Sequence, residues 1–376
     1  MLSVRPGLAG NVDRTIHNLA RSDSPLVVGN FRLNQNAGLA SVGYARRENA
    51  MITQVENNAR VAKVRELFAI PAPDSATIEV REARINTPTV DDLYRFRENL
   101  LRPVLMWLAG IGSYNLLLVG PLGTGKSSLV EQVCARLGRE VFVVQCHGRA
   151  EPSFFAGQIV LGQAENGSGT ITKWVDGPLL TAMRAGGVVV LDEYDVLPPD
   201  SVAWLFRLRD SRSVLIPETG ELVVAHPDFR MALTGNTGGS GDSTGAYRGT
   251  KTQNAAFMDG VSVVAVPYMP EDDEFAVVAA KLGTRGTAAL LVSVQCMLKV
   301  ATSVRSQFES GEIDVTISTR SLLRWAELTW AYDAVKTCDD PLMEALNVAL
   351  LNRASQEDRK AISTLLEAAR SRSQAA

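Results

Sequence analysis

The sequence predicts an α/β fold in which a parallel sheet, covered by helices on both faces and carrying β-hairpin insertions, precedes an all-α domain. Between residues 115 and 268, short apolar runs rich in β-branched residues alternate with helical patterns, which is typical of a buried parallel sheet. After Pro270 the strand signals nearly vanish and the hydrophobic spacing becomes helical. We therefore predict a three-layer sheet domain at 64–268, a helical domain at 269–376 and an N-terminal extension at 1–63.

The chain before the sheet shows weaker patterns. Residues 1–60 have no sustained hydrophobic period, and the stretch 53–69 has a helical spacing that two prolines end. Residues 89–110 form a second predicted helix, which Pro103 kinks or divides. We expect this second helix to lead the chain into the first strand of the sheet.

The composition excludes several classes of protein. At 376 residues the chain is long enough for two domains and an extension, and its 46% hydrophobic residues exclude a disordered protein. The net charge of −3 provides no global basic field, which disfavours a nucleic-acid partner without excluding one, because the pore of a ring can be locally basic while its outside is acidic. No run approaches the length of a membrane span and the N-terminus lacks the apolar core of a signal peptide, so we expect no membrane partner and a cytoplasmic protein.

The four cysteines are scattered, without the spacing of a disulfide framework or a zinc site. Cys146 and His147 are the only adjacent pair made up of cysteine or histidine. Because the chain has just three histidines and no second cluster, a structural role is the simpler interpretation of this pair.

A glycine-rich turn joins an apolar run to an amphipathic helix in NLLLVGPLGTGKSSLVEQV, residues 115–133. The spacing fits the phosphate-binding loop G-x-x-x-x-G-K-[ST], with the strand and the helix that this motif requires. Glycines let consecutive backbone N–H groups point inward, while Lys126 reaches the β- and γ-phosphates and Ser127 offers its hydroxyl to Mg²⁺. A glycine turn that ends in Lys-Ser by chance is the alternative, and the order of strand, turn and helix disfavours it. The predicted ATP-binding residues are Gly120, Pro121, Gly123, Thr124, Gly125, Lys126, Ser127 and Ser128.

Strands and helices then alternate. Two helices are predicted, one through Leu179 and Met183 and one in VAWLFRLRD. Two β-hairpins are predicted, at 157–177 around Asn166-Gly167 and at 213–224. The predicted buried strands are 139–146, 186–195, 229–236 and 261–268.

Asp192 and Glu193 end the buried strand GGVVVLDEYD. From the end of a parallel strand beside the phosphate-binding loop, Asp192 can hold Mg²⁺ through water. Glu193 can then orient or polarise the water that attacks the γ-phosphate. A solvated Asp-Glu pair at a strand end is the alternative, which the preceding apolar strand and the upstream loop disfavour.

Asn236 and Arg320 are weaker candidates. Asn236 ends the next strand, where its neutral amide could hold the attacking water or touch the γ-phosphate, although asparagine before a glycine-rich loop is often a turn former. Arg320 begins a helix in ISTRSLLRWAEL, with Ser318 or Thr319 as its cap. It could reach back to the γ-phosphate, or it could simply be solvated on the first turn.

The order of these features resembles the AAA+ ATPase family: a phosphate-binding loop, an Asp-Glu strand, an asparagine strand and an arginine in a helical lid. The two hairpins resemble the insertions of the MoxR clade, and the motifs are most similar to cobaltochelatase subunits of the CobS type. The resemblance covers about residues 64–355 and rests on VRELFAI, GPLGTGKSS, LDEYD, HPDFRMALTGNT, GDSTGAYRGTKTQN and ISTRSLLRWAE.

The resemblance implies a Mg²⁺-dependent ATPase that forms a homo-oligomeric ring, expected to be a hexamer, and remodels a client protein or works through a von Willebrand-type adaptor. A chelatase role, driving metal insertion into a corrin-like ring, is the sharper version of this prediction. By the same likeness Asn236 and Arg320 match the family's two sensors. The other matching residues are Lys126 and Ser127 for phosphate and Mg²⁺, Asp192 for the metal and Glu193 for catalysis.

One position departs from the family pattern. Family members usually follow the segment matching NAAFMD with an arginine finger that acts on the neighbouring subunit's ATP, and this chain has Gly260 there. The departure predicts slow turnover unless another group replaces the finger, either Arg248 or Lys251 nearby or a residue of another chain in a mixed ring. Three further arginines of one helix could face an interface or solvent: Arg207, Arg209 and Arg212.

Phe154 and Phe155 precede the first hairpin in the order aromatic, aromatic, Ala, Gly. Such a segment can grip a polypeptide in the pore of a ring, but two phenylalanines before a hairpin are more often core.

Two rival functions also stay open. One is a nucleotide-gated ring scaffold with little hydrolysis, which Gly260 favours, and the other is a DNA-translocating motor, which the acidic pI of about 5.8 disfavours.

Overall fold

The computed structural model describes residues 59–163, 169–242, 245, 247, 249–336 and 338–374, together with the backbone pairing of residues 27–28. The chain forms two compact units, 1–82 and 83–376. The predicted boundaries at 63/64 and 268/269 stay predictions.

The first unit contains a small three-stranded sheet. Its strand order is β1-β3-β2, with β1 parallel to β3 and β2 antiparallel to it. A helix predicted over 53–69 is therefore wrong at residues 60–63, where backbone pairing with a neighbouring strand outweighs the local helical spacing. Residues 53–58 lie outside the described part. The elements are β1 Val27–Val28, β2 Arg60–Lys63, α1 Val64–Phe68 and β3 Thr77–Val80.

The second unit begins with the helix that leads into the main sheet. This helix starts at Glu98, not near residue 89 as predicted, because Gln132 binds the preceding backbone at the carbonyl of Thr89 and the N–H of Asp91. It then runs through Pro103 without dividing. The elements up to the eighth strand are α2 Glu98–Leu108, β4 Asn115–Val119, α3 Lys126–Leu137, β5 Val141–Gln145, α4 Pro152–Ala156, β6 Gly157–Gln163, β7 Thr170–Asp176, α5 Pro178–Ala185 and β8 Val188–Asp192.

The second half of the sheet region follows a short 3₁₀ turn. Both predicted hairpins are present, β6 with β7 and β9 with β10, and each is antiparallel. The turn residues Asn166 and Gly167 of the first hairpin lie outside the described residues. The remaining elements are α6 Pro199–Ser211, β9 Ser213–Ile216, β10 Glu221–Val224, β11 Arg230–Gly235, α7 Ala255–Asp259 and β12 Ser262–Ala265.

A five-stranded parallel sheet in the order β12-β4-β11-β8-β5 forms the centre of this region, so the predicted fold class is confirmed. Leu117, Val190 and Leu233 on its inner strands are fully buried, as expected of strands that are covered on both faces. The register pairs Gly235 with Val119 and Gln145 with Asp192. The carboxyl ends of four strands therefore meet at one edge, where the candidate site lies.

The C-terminal part is helical and has its own core, which includes the buried Trp325, Met297 and Leu346. Its longest helix, α9, could cross a membrane by length and composition alone, so the expectation that no run reaches that length is wrong. Half of its apolar window is buried inside the protein, and a helix of a protein core can have the same length and composition. The helices are α8 Glu271–Leu282, α9 Ala288–Glu309, α10 Thr319–Val335, α11 Pro341–Ala349 and α12 Gln356–Gln374.

Candidate nucleotide site

The glycine-rich loop connects β4 to α3 in the way that the motif predicts. Gly123 and Gly125 adopt left-handed backbone conformations with φ of 74° and 85°, which side chains other than glycine's disfavour. Gly125 is the N-cap of α3, and Lys126 is its first residue. The loop therefore presents backbone N–H groups and the positive end of a helix to one point, a cradle suited to phosphate.

Two glycines of the loop are also required by close packing. The N–H of Gly120 donates to the carbonyl of Gly235 at 3.3 Å, and a methyl group at Gly120 would overlap the carbonyl oxygen of Val266. A methyl group at Gly123 would overlap Cβ of Ser318, the N-cap of α10. The loop is thus held between the sheet and the helical part.

The side chain of Lys126 folds back over the loop. Its Nζ donates to the carbonyls of Gly120 at 2.8 Å and Pro121 at 3.0 Å, and to Oδ1 of Asn236 at 2.8 Å. Burial lowers the pKa of Lys126, and the nearby carboxylates, that of Asp195 first, partly offset this effect. Two predicted site residues, Lys126 and Asn236, are therefore in direct contact.

The other loop residues differ in exposure. Thr124 is buried and its hydroxyl donates to the carbonyl of Pro121 at 3.1 Å, whereas Ser128 is exposed. Thr124 therefore stabilises the turn itself, and Ser128 stands at the outer end of the cradle.

Asp192 ends β8, and one of its carboxylate oxygens accepts hydrogen bonds from two hydroxyl groups. Ser127 Oγ donates to Asp192 Oδ1 at 2.6 Å, and Thr234 Oγ1 of β11 donates to the same atom. Hard oxygen ligands of this kind, a hydroxyl beside a carboxylate, are what Mg²⁺ prefers. The two residues predicted to hold the metal are thus together and fit it.

Glu193 follows directly in a left-handed conformation with φ of 58°, which is uncommon for a residue with a side chain. Its N–H donates to Thr234 Oγ1 at 3.1 Å, and its Oε2 accepts from Nε2 of Gln145 at 2.8 Å. The carboxylate is exposed and is oriented by this amide. Sequence reasoning missed Gln145 and Thr234, whose only signal is their position at the carboxyl ends of neighbouring strands.

Asp195 was also missed, although it belongs to the same LDEYD motif. It is fully buried, and its Oδ2 accepts from the N–H of Asn236 at 2.7 Å and from both the N–H and the hydroxyl of Thr237 at 3.2 Å. Asp195 therefore fixes the backbone that carries the Asn236 amide. Its other oxygen has no hydrogen-bond partner among the described residues.

A cleft of about 480 Å³ opens beside these groups. Its lining includes Glu193, Asp195 and Asn236 at the end of the sheet, together with Tyr247 and, from the helical part, Asp314. The cleft therefore lies between the end of the sheet and the helical part, next to the glycine-rich loop.

Arg320 is the second residue of α10, whose N-terminus packs against Gly123. Its side chain is exposed and makes no hydrogen bond or ion pair to any residue that the structure describes. The structure thus brings the start of this helix to the phosphate-binding loop and leaves the guanidinium available.

The trans-acting candidates lie in different places. Arg248 lies outside the described residues, as does the side chain of Arg207. The N–H of Lys251 donates to the carbonyl of Asp195 at 2.7 Å, so Lys251 borders the chain's own site. Arg212 stacks on the ring of Tyr114, with 4.0 Å from its guanidinium carbon to the ring centroid.

Arg209 lies directly over Gly260. A methyl group at Gly260 would overlap Cδ of Arg209 and stand 2.8 Å from its Nε. The guanidinium donates to the carbonyls of Ala256 and Phe257 in α7. An arginine thus occupies the space where a side chain of residue 260 would begin.

Two further pairs that the sequence singled out, Phe154-Phe155 and Cys146-His147, mainly contribute to packing. Phe155 is fully buried and belongs to the core, while Phe154 is 42% exposed. Burial raises the pKa of Cys146 to about 12, and the neighbouring His147 stacks edge-on against Phe154. Among the described residues there is no group of three His, Cys, Asp or Glu that could hold a metal.

Comparisons with known proteins agree with this geometry. The family model "AAA domain (dynein-related subfamily)" matches residues 115–250, and "CbbQ/NirQ/NorQ C-terminal" matches residues 275–371. The chain is 30% identical to the aerobic cobaltochelatase subunit CobS of a Sinorhizobium species, over 79% of this chain and 86% of that protein. It is 32% identical to protein CbbQ of Hydrogenophilus thermoluteolus, over 55% of this chain and 71% of that protein.

A third relative, the denitrification regulatory protein NirQ of Stutzerimonas stutzeri, is 29% identical over 57% of this chain and 71% of its own length. The two family models together match most of the sheet region, including the phosphate-binding loop and the Asp-Glu strand, and most of the helical region behind it. The chain belongs to the MoxR clade of AAA+ ATPases.

Proposed function

We propose that the chain is a Mg²⁺-dependent ATPase that works as a ring and remodels a partner protein. One observation carries the proposal: the hydroxyl of Ser127 and the carboxylate of Asp192 converge at 2.6 Å beside the glycine cradle, with Glu193 next in the chain. These are the parts that bind a nucleotide phosphate, hold a divalent ion and place a base near both.

The residues present fit the proposed metal. Ser127 and Asp192 would hold it, and Thr234, which also donates to Asp192, would keep that carboxylate in place. Bound Mg²⁺ neutralises charge that develops on the phosphate oxygens.

The chain's own groups divide the remaining work. Glu193, oriented by Gln145, would position and deprotonate the attacking water. Lys126 would neutralise phosphate charge, and Asn236, held at its backbone by Asp195, would hold the water or contact the γ-phosphate. Arg320 would contact the γ-phosphate from the helical part and so report whether ATP or ADP is bound.

The neighbouring subunit is proposed to supply an arginine. The resemblance puts the usual arginine finger at residue 260, and Arg209 lies above Gly260, held by two carbonyls. We therefore prefer Arg209 as the substitute for the arginine finger. Lys251 is less suitable because it borders the chain's own site, and a mixed ring with a finger from another chain is also less favoured.

The partner is proposed from the relatives. One relative is named as a cobaltochelatase subunit and another as a regulatory protein. A client protein, reached directly or through a von Willebrand-type adaptor in the cytoplasm, and a chelatase-like role fit the first of these. A hexamer is the ring size that we propose.

Steady-state ATPase assays of the wild type and Glu193→Gln test the reaction. We expect Mg²⁺-dependent hydrolysis that falls by at least a hundredfold in the variant, while ATP binding is retained. A wild type as inactive as the variant, with and without candidate partners, would leave the scaffold function, which the glycine at 260 favours.

Mixing two inactive variants tests the trans arginine. Arg209→Ala should lower kcat by about a hundredfold or more without loss of ATP binding. A mixture of Arg209→Ala with Glu193→Gln should regain activity, because some interfaces then combine an intact Glu193 with an intact Arg209. If the mixture stays inactive although both variants bind ATP and form mixed oligomers, Arg209 does not act in trans.

A further inference from the structure

A buried ion pair lies in the helical part, outside the residues that form the nucleotide site. Glu274 of α8 is fully buried, and Arg305 of α9 is 6% exposed. The two terminal nitrogens of Arg305 donate to the two carboxylate oxygens at 2.7 and 2.8 Å, and its Nε donates to the carbonyl of Ile317 at 2.7 Å. Because burying two charges costs much of what their attraction returns, the pair by itself is weak evidence for a role in stability.

The carboxylate of this pair reaches the start of α10. Thr319 Oγ1 donates to Glu274 Oε1 at 2.6 Å. Thr319 is the first residue of α10 and immediately precedes Arg320. The position of the pair therefore determines where the first turn of α10, and with it Arg320, stands.

The guanidinium of the pair reaches the phosphate-binding loop. The guanidinium carbon of Arg305 lies 4.1 Å from the ring centroid of Tyr268, a cation–π contact. The hydroxyl of Tyr268 donates to the carbonyl of Leu122, between Pro121 and Gly123 of the loop, at 3.1 Å. The same ion pair is thus linked to the start of α10 through Thr319 and to the phosphate-binding loop through Tyr268.

The phosphate-binding loop and the start of α10 are also in direct contact. The N-cap of α10, Ser318, packs directly against Gly123, so the loop and the helix start cannot move independently. An apolar pair in place of Glu274 and Arg305 would fill the same space, but it could not bond Thr319 on one side and stack on Tyr268 on the other.

We propose that Glu274 and Arg305 are positioning residues. They fix the position of Arg320 relative to the phosphate-binding loop, Glu274 through Thr319 and Arg305 through Tyr268. The orientation of α10 and the state of the loop then change together when the γ-phosphate is lost. This proposal rests on the proposed function, in which Arg320 contacts the γ-phosphate.

The test uses the full chain and two conservative variants that each remove one hydroxyl, Thr319→Val and Tyr268→Phe. The dissociation constants of Mg²⁺ complexes of a non-hydrolysable ATP analogue and of ADP are measured by titration. We expect each variant to weaken binding of the ATP analogue about tenfold relative to ADP. Matched controls, Thr329→Val and Tyr332→Phe, make the same changes elsewhere in α10 and should leave the ratio unchanged.

A double-mutant cycle with Arg320→Ala decides whether Thr319 acts through Arg320. If it does, Thr319→Val should change the ratio by less than twofold in the Arg320→Ala background. An equal loss for both nucleotides, or a full effect in that background, would overturn the proposal.

The cycle also distinguishes failure of the Arg320 role from failure of the positioning role. If Arg320→Ala itself leaves the ratio unchanged, the role of Arg320 in the proposed function is wrong, and the positioning role goes with it. If Arg320→Ala lowers the ratio and Thr319→Val does not, only the positioning role is overturned.

Discussion

Two adjacent carboxylates, Asp192 and Glu193, have different surroundings although they share one strand end. Asp192 accepts two hydroxyl groups and lies half-buried, whereas Glu193 is exposed and accepts the amide of Gln145. A carboxylate held by hydroxyls suits a metal ion, and one held by a side-chain amide next to a cleft suits a water molecule. The environment, not the residue type, separates the roles that we propose for them.

The first prediction concerns Gln145. Replacing it with Leu removes the donor that orients Glu193, so the carboxylate can rotate away from the attacking water. We expect kcat for ATP to fall about tenfold while KM stays within twofold. Gln158→Leu, on the exposed part of β6, is the control, and an unchanged kcat in Gln145→Leu would show that the amide does not orient the base.

The second prediction concerns the cysteines at alkaline pH. Burial raises the pKa of both Cys134 and Cys146 to about 12 from an ordinary value near 9, so at pH 8 the reactive thiolate is depleted roughly a thousandfold. We expect iodoacetamide to label the partly exposed Cys338 in native protein and to spare these two thiols. Mass spectrometry of digests reads the labelling, with urea-unfolded protein as the fully labelled control. Equal rates for Cys146 and Cys338 in native protein would contradict the burial.

At the scale of elements, the phosphate-binding loop and α10 meet at a contact that tolerates no side chain. Gly123 touches Ser318, while Gly125, two residues on with the same left-handed conformation, faces open space. The two glycines are therefore required for different reasons. Gly125 is required for its backbone angle alone, and Gly123 for its angle and for the approach of the helix.

The third prediction compares alanine at these two glycines in the nucleotide-free protein. Gly125→Ala should lower the free energy of unfolding by about 1–2 kcal/mol through backbone strain. Gly123→Ala should lower it by a further 1–3 kcal/mol or so, because the methyl group overlaps Ser318. Urea denaturation measures both.

The matched test of that overlap is Ser318→Gly, which removes the side chain and keeps a residue that is acceptable at an N-cap. In this background the additional cost of Gly123→Ala should disappear. If the two alanine variants are equally destabilised with Ser318 intact, the loop and the helix are not in contact as described.

At the scale of the whole molecule, the sheet and the helical part form one cleft whose lining comes from both. Neither part carries the whole proposed site, since Lys126 and Asp192 belong to the sheet region and Arg320 to the helical region. The nucleotide is therefore expected to stabilise the second unit as a whole.

The fourth prediction follows from that linkage. At a concentration about a hundred times the dissociation constant, a Mg²⁺–ATP analogue should stabilise the folded state by about 2.7 kcal/mol, seen as a higher Tm. Removal of Mg²⁺ with EDTA should cancel most of the shift, and Lys126→Ala should abolish it. Light scattering on the same samples tests the ring, and a 40.5 kDa monomer under every condition would contradict it.

Much of the fold was predictable, because its signals are local. Runs such as VVVLD are apolar at every position, which indicates a strand buried on both faces, and the glycine spacing of the loop is specific. Predictions were wrong where distant groups decide the local structure. Residues 60–63 form a strand because Thr77–Val80 pairs with them, and the helix before the sheet starts late because Gln132 binds the backbone ahead of it.

For this protein the sequence by itself determined the parallel sheet, the phosphate-binding loop and the pair Asp192 and Glu193, since each depends on residues close together in the chain. Only the tertiary structure decided which distant side chains complete the site. Gln145 reaches Glu193, Arg209 covers Gly260, and the buried Glu274 carboxylate joins the start of α10. These contacts form where separate strands and helices pack together, and no local pattern in a single sequence predicts such tertiary contacts.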